Sequence, residues 1–142
     1  MKTKYDYIIG IDTGVKTGVA IFDVQKNCFN TIDTVAIHNA LDCVHKLRQN
    51  KILVRVEDAR LRKWIPKNQG REKLQGVGSV KRDAKIWEDF LKDHKIEYDM
   101  VAPKYNTTKL NAFAFEQITG ITQRTSEHAR DAAGLCFKFI RK

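Results

Sequence analysis

Apolar residues recur along the chain with two different periods, and the switches between them outline its elements. Tyr5 to Asp12 is a near-continuous apolar run ending in a carboxylate, as expected of a strand buried on both faces. Thr13 to Gly18 (TGVKTG) reads as a turn, and Val19 to Phe22 restarts an apolar strand, so the two runs form a hairpin. Phe29 to Ile37 alternates weakly through Ile32, Val35 and Ile37 and supplies a third antiparallel strand. Ala40 to Leu47 carries Leu41, Val44 and Leu47 at helical spacing. Ile52 to Val56 is a β-branched run that delivers Glu57 at its end.

Arg60 to Gly78 contains Pro66 and three glycines and is expected to be irregular. Ser79 then caps a helix reaching Lys92, on which Val80, Trp87, Phe90 and Leu91 form overlapping apolar faces. Tyr98 to Ala102 is a short strand closed by Pro103. Thr107 or Thr108 caps a helix bearing Leu110, Phe113, Ala114 and Ile118, which Gly120 ends. Ser126 caps the last helix, whose apolar side runs through Ala132, Leu135, Cys136, Phe139 and Ile140. The order β-β-β-α-β-α-β-α-α implies an α/β fold. It has one mixed five-stranded sheet, antiparallel hairpin strands plus parallel strands, with helices on both faces. No repeat, low-complexity tract or linker interrupts the pattern, so residues 1–142 are expected to form a single domain.

Charge sharpens this picture. Lys and Arg number 26 against 17 Asp and Glu, a net charge of +9, with an isoelectric point near 9.6. Such an excess on a small domain favours polyanions, nucleic acid first among them. Cys28, Cys43 and Cys136 are far apart and form no CxxC pair, which excludes a zinc ribbon or a disulfide framework and fits a reducing cytoplasm. No apolar run approaches the ~20 residues of a membrane span. A soluble cytoplasmic protein is expected, with no membrane partner.

Three acidic positions stand out against the basic background. Asp12 ends the first strand at a glycine-containing turn, where Gly14 and Gly18 allow another chain's backbone to come close. Glu57 ends a second strand, expected beside the first; Asp58 alternates to the opposite face. Asp131 lies on the last helix, with His128 and Glu127 one turn earlier on the same side, and either of these two could meet the same ion. Carboxylates gathered together repel unless a cation neutralises them, and hard oxygen donors select Mg²⁺ or Mn²⁺. Two such ions about 4 Å apart activate water and stabilise the leaving oxygen in phosphodiester cleavage.

Next to Glu57, the segment Arg60 to Lys73 (RLRKWIPKNQGREK) carries six basic residues and one acid, with Trp64 among them. Arg60, Arg62, Lys63 and Lys67 suit backbone phosphate, and an exposed Trp64 can stack on an unpaired base. The helix after Ser79 carries more apolar bulk (Ile86, Trp87, Phe90, Leu91) than one face needs, as an interface helix does.

Taken jointly, IGIDTGVKTGVA, VED after a central strand, and HARDAAGL near the C-terminus resemble the RuvC family of Holliday junction resolvases, within the RNase H-like class. The resemblance implies a Mg²⁺-dependent endodeoxyribonuclease, with Mn²⁺ able to substitute. It would resolve four-way DNA junctions with two ions per site. Catalytic and metal-ligating roles fall on Asp12, Glu57, His128 and Asp131, with Glu127 a rival for the third place. The resemblance also implies a homodimer through the helix after Ser79, and functional lysines at Lys104 or Lys109. Other readings are an RNase H-like nuclease for flaps, forks or RNA–DNA hybrids, an actin-type ATP-binding fold suggested by GIDTG, and a non-catalytic DNA-binding module. The actin type needs two such domains and a second phosphate loop, more than 142 residues supply.

Overall fold

The structure, a computed structural model, describes residues 4–61, 71–103 and 110–141, with only the helical backbone described at 71–77 and 80. Three strands come first: β1 (Tyr7–Asp12), β2 (Lys16–Asp23) and β3 (Cys28–Ala36). Helix α1 (Ile37–Leu47) leads into β4 (Ile52–Glu57), a 3₁₀ turn over Ala59–Leu61 and the long helix α2 (Arg71–Asp93). The chain closes with β5 (Glu97–Val101), α3 (Ala112–Thr119), α4 (Glu127–Gly134) and a 3₁₀ turn over Phe137–Phe139.

The sheet order is β3-β2-β1-β4-β5. β1 is antiparallel to β2 and parallel to β4, and β4 is parallel to β5. The mixed five-stranded sheet expected from the apolar periods is therefore present. A separate core fills each face. Ile9, Ile11, Val54 and Val56 pack with Val44 of α1 and Trp87 and Leu91 of α2. On the opposite face Ile8, Ala20, Phe22 and Leu53 pack with Phe115 of α3 and Ala132, Ala133 and Cys136. β1 contributes to both cores, which is why it reads as unbroken apolar sequence rather than as alternation.

Several boundaries differ from the sequence reading. β2 begins at Lys16, so the turn after β1 is shorter than Thr13 to Gly18. α1 begins at Ile37, before its apolar spacing becomes visible at Leu41. The largest difference is in α2, which begins at Arg71 and runs through Gly76, Gly78 and Ser79. Ser79 is thus inside the helix and does not cap it. Two interior glycines cost about 1 kcal/mol each against alanine, too little to break a helix whose distal half buries Trp87 and Leu91. α3 is capped by Asn111, whose side chain accepts the Ala114 amide at 2.8 Å; Thr107 and Thr108 lie outside the described residues. Gly120 does end α3, in the left-handed conformation at φ 74°. α4 stops at Gly134 instead of continuing to Ile140, and the chain re-forms as a tight turn around Phe137–Phe139.

Gly78 offers a direct test of the α2 boundary. A Cβ there meets nothing within 4 Å. Gly78→Ala should therefore stabilise the protein by about 0.5–1 kcal/mol, seen as a raised urea midpoint. A lowered midpoint would return this segment to the irregular conformation read from the sequence.

Candidate active site

Asp12 and Glu57 end adjacent parallel strands, one position beyond the registered pair Ile11–Val56. Alternation turns Asp12 to the same face as Ile8 and Gly10, and Glu57 to the same face as Leu53 and Arg55. That is the face covered by α4. The Thr13 hydroxyl reaches the Glu57 carbonyl at 3.4 Å, tying the two strand ends together.

Two glycines bring α4 down onto this face. A Cβ on Gly10 would run into the carbonyl of Ala132, and one on Gly18 into the carbonyl of His128. Gly18 is the strand partner of Asp12. The backbone that comes close at Gly18 is therefore the protein's own last helix and not that of another chain, and Gly18 lies within β2 rather than in the turn. Ser126 caps that helix by accepting the Ala129 amide at 3.1 Å, and its hydroxyl pairs with that of Thr34 on β3. Arg130 anchors the same end, donating from Nε to the Leu110 carbonyl at 3.0 Å. At the other end Arg55 donates from Nη1 to the Leu135 carbonyl at 3.0 Å, with its Nε 3.5 Å from Asp99.

Docked in this way, α4 sets His128 against Asp12, with a hydrogen bond of 2.9 Å between the imidazole Nδ1 and Oδ2. Asp12 is buried, His128 largely exposed, and Glu57 and Asp131 are half-buried. Burial pushes the Asp12 carboxyl up to about 6. The His128 hydrogen bond opposes the rise, while the negative charges of Glu57 and Asp131 add to it. Residues from β1, β4 and α4 thus share one electrostatic environment, as their positions in the sequence led us to expect.

The donor set of three carboxylates and an imidazole suits a hard divalent cation in kind. In the arrangement seen, His128 is hydrogen-bonded to Asp12. Among the described residues, no three His, Cys, Asp or Glu side chains stand around one metal-sized position. Glu127 is exposed on the first turn of α4, and His128 is in contact with Asp12.

The carboxyl of Asp12 carries a consequence for stability. Its folded value of about 6 lies above the ordinary carboxylate value, so the folded protein retains a proton that the unfolded chain loses between pH 4 and 6. Without cations, stability therefore falls as pH rises through that window. Asp12→Asn removes the penalty and should stabilise the cation-free protein at pH 7.5 by at most about 3 kcal/mol, a gain that vanishes near pH 4. Urea titrations in EDTA at the two pH values measure it, and equal midpoints at pH 7.5 would count against a buried, repelled carboxylate.

Of the seven residues expected to meet DNA, Arg60 is the one among the described residues. Arg62, Lys63, Trp64 and Lys67 lie outside the described residues, as do Lys104 and Lys109. Arg60 is described, and its Nε and Nη2 are turned inward onto Asp58 and Glu88 rather than outward as a phosphate contact requires. Asp58 faces away from Glu57 and is fully buried in that ion cluster. Sequence reasoning missed the cluster, although a carboxylate two residues before an arginine is a local signal for it. It also missed Arg55, detectable as a cation inside an otherwise apolar strand. On α2, Trp87 and Leu91 belong to the core and Phe90 packs on Trp87 and His94, which leaves Ile86 as the exposed apolar residue of the four. No described helix is long and apolar enough to cross a membrane.

No family model matches the sequence, and no curated protein matches it either. Solved structures do. The chain is similar to Thermus thermophilus RuvC in complex with Holliday junction substrate, at 17% identity and a TM-score of 0.62, covering 94% of this chain and 92% of that one. A second Thermus thermophilus RuvC structure aligns at 16% identity with a TM-score of 0.60, covering 94% and 93%. Identity this low speaks for the fold alone, and the fold is α/β, RNase H-like and RuvC-like.

Proposed function

We propose that this protein is a structure-selective endodeoxyribonuclease. It resolves four-way DNA junctions by paired nicks, acting as a homodimer with divalent cations at Asp12, Glu57, His128 and Asp131. The observation that carries the reading is the meeting of Asp12 with His128, and its electrostatic coupling to Glu57 and Asp131, on a protein of net charge +9. Carboxylates beside phosphate repel it, so a protein that only bound DNA would gain nothing by gathering them. The fold supports the choice of substrate, since one RuvC structure of the same fold is a complex with a Holliday junction.

Bound there, a pair of Mg²⁺ or Mn²⁺ ions supplies activated water and stabilises the leaving oxygen of the scissile phosphodiester. Asp12, the most buried of the four and central between β2 and β4, would hold these ions together with Glu57 from the β4 side and Asp131 from α4. His128 would join them through a ring nitrogen on releasing its hydrogen bond to Asp12. The basic residues of the segment after Leu61, with Trp64, and Lys104 and Lys109 ahead of α3 in the sequence would hold DNA through its backbone phosphates without reading sequence.

Cutting of a synthetic four-way junction beside linear, flap, fork and RNA–DNA hybrid substrates, with and without Mg²⁺, decides the matter. Paired nicks on the junction alone are expected. Equal cutting of flaps or hybrids would replace the reading by a broader nuclease. Symmetric nicking also needs two sites related by a two-fold axis. Ile86 on α2 is exposed by 40% and is the apolar residue available to a partner helix. Ile86→Glu should convert a dimer to a folded monomer in light scattering and uncouple the two nicks. A wild-type monomer that resolves junctions at dilute concentration would sink the dimer.

A further inference from the structure

Immediately beyond Glu57 the chain wraps around a buried carboxylate. The Asp58 side chain is 2% exposed, and Arg60 grips both of its oxygens, Nε at 2.9 and 3.1 Å and Nη2 at 2.7 Å. The same Nη2 reaches Glu88 on α2 at 3.1 Å. The Arg60 amide also donates to Asp58 Oδ1 at 2.9 Å, the Leu61 amide to the Asp58 carbonyl at 3.1 Å, and the Asp58 amide to Val101 on β5 at 2.8 Å. The 3₁₀ turn over Ala59–Leu61 is thereby fastened to β5 through its backbone and to α2 through its side chains.

The arrangement answers a mechanical need. Glu57 is the last residue of β4, paired with Val101 on β5 and accepting the Thr13 hydroxyl at its carbonyl, and the chain leaves the sheet directly after it. Across the site stand Asp12 and Asp131, whose charges are of the same sign and close enough to act on one another. Repulsion drives a strand-end carboxylate outward unless the following peptide is held. A guanidinium fork on a buried carboxylate is a stiff means of holding it, stronger and more directional than a lysine contact. The fork is then committed, and no longer faces solvent phosphate with Nε and Nη2.

We propose that Arg60 is a positioning residue for Glu57: together with Asp58 and Glu88 it locks the turn after β4 between β5 and α2, and so holds the Glu57 carboxylate beside Asp12. The proposal rests on the reading of this site as a divalent-cation centre. It assigns Arg60 no contact with DNA.

The test uses Mn²⁺ titration followed by electron paramagnetic resonance on the whole protein without DNA, together with junction affinity in EDTA and the cutting rate at saturating junction. Arg60→Met and Arg60→Lys should both weaken Mn²⁺ binding by about 10-fold or more, the scale of outer-shell partners of a metal site. The cutting rate should fall alongside and recover partly at high Mn²⁺, while junction affinity and its salt dependence stay within about two-fold of wild type. Because Arg60→Met strands a buried charge, the double variant Asp58→Asn/Arg60→Met removes that charge and keeps the test available if the single variant fails to fold. It should fold and still bind Mn²⁺ weakly. Glu88→Gln should shift Mn²⁺ binding in the same direction by less. Wild-type Mn²⁺ affinity in the folded double variant overturns the proposal. So does a drop in junction affinity with a shallower salt slope and unchanged Mn²⁺ binding, which would make Arg60 a phosphate contact. A wild-type protein that binds Mn²⁺ but cuts no DNA removes the nuclease reading and leaves the Arg60 result legible.

Discussion

Asp12→Asn, Glu57→Gln and Asp131→Asn should each lower junction cutting by on the order of 10³-fold, equivalent to about 4 kcal/mol in the barrier. Each substitution removes one negative charge that would hold a cation, and an amide oxygen is a poor replacement for a carboxylate at a hard ion. Asp12 should be the most sensitive, because it is the buried member to which the other three groups are coupled. Junction binding in EDTA should persist or tighten, since a charge that repels phosphate has been removed. At the third position His128→Ala should reduce cutting far more than Glu127→Ala, as His128 is the residue in contact with Asp12. Gel-shift and cleavage assays on the same preparations separate binding from chemistry. A carboxylate variant that cuts at the wild-type rate removes that residue from the site, and the opposite ranking of Glu127 and His128 would hand Glu127 the third position.

The second large effect is steric. Gly18→Ala places a methyl group into the His128 carbonyl and close to the Asp12 side chain, and Gly10→Ala places one into the Ala132 carbonyl. Both obstacles include helix backbone, which cannot rotate away as a side-chain tip can. α4 must lift from the sheet or the strands must bend. Either substitution should cost about 3 kcal/mol or more, the upper end for overpacking, and read out as a large drop in urea midpoint. Gly18→Ala carries an additional penalty: whatever fraction remains folded has α4 displaced at His128, so cutting per folded molecule should fall as well. Stability near wild type for both variants would mean that α4 sits farther from β1 and β2 than the structure has it. The contrast with Gly78→Ala, expected to be stabilising, makes the three glycines one internally controlled experiment.

What the sequence revealed follows from where the decisive information is stored. Asp12 and Glu57 were legible because each ends an apolar run, and parallel pairing of two such runs sets their ends side by side whatever the details of packing. Ser126 and Asp131 were legible because a capping serine sets the register of everything on the helix it begins. The start of α2 was not, since Gly76 and Gly78 are local signals for a break and the burial that outweighs them lies about two and a half to four turns onward at Trp87 and Leu91. Arg60 was read by composition as one cation among six. Its actual partners include Glu88, which is 28 residues away and brought near only by α2 packing on β4 and β5. The length of α4 was overestimated because Leu135, Cys136 and Phe139 are apolar in either conformation, and apolar character alone does not distinguish a helix from a tight turn packed on the same core.

Asp12 and His128 touch across 116 positions of sequence, and α4 comes after every strand of the sheet in chain order. A nascent chain extending only through β5 already carries the basic segment, Asp12 and Glu57, and lacks the helix that completes the acidic site. In such a chain one face of the sheet is still without α4, and Asp12 has no His128 to meet. Order of synthesis thus sets the whole sheet ahead of the contact that joins its first strand to α4.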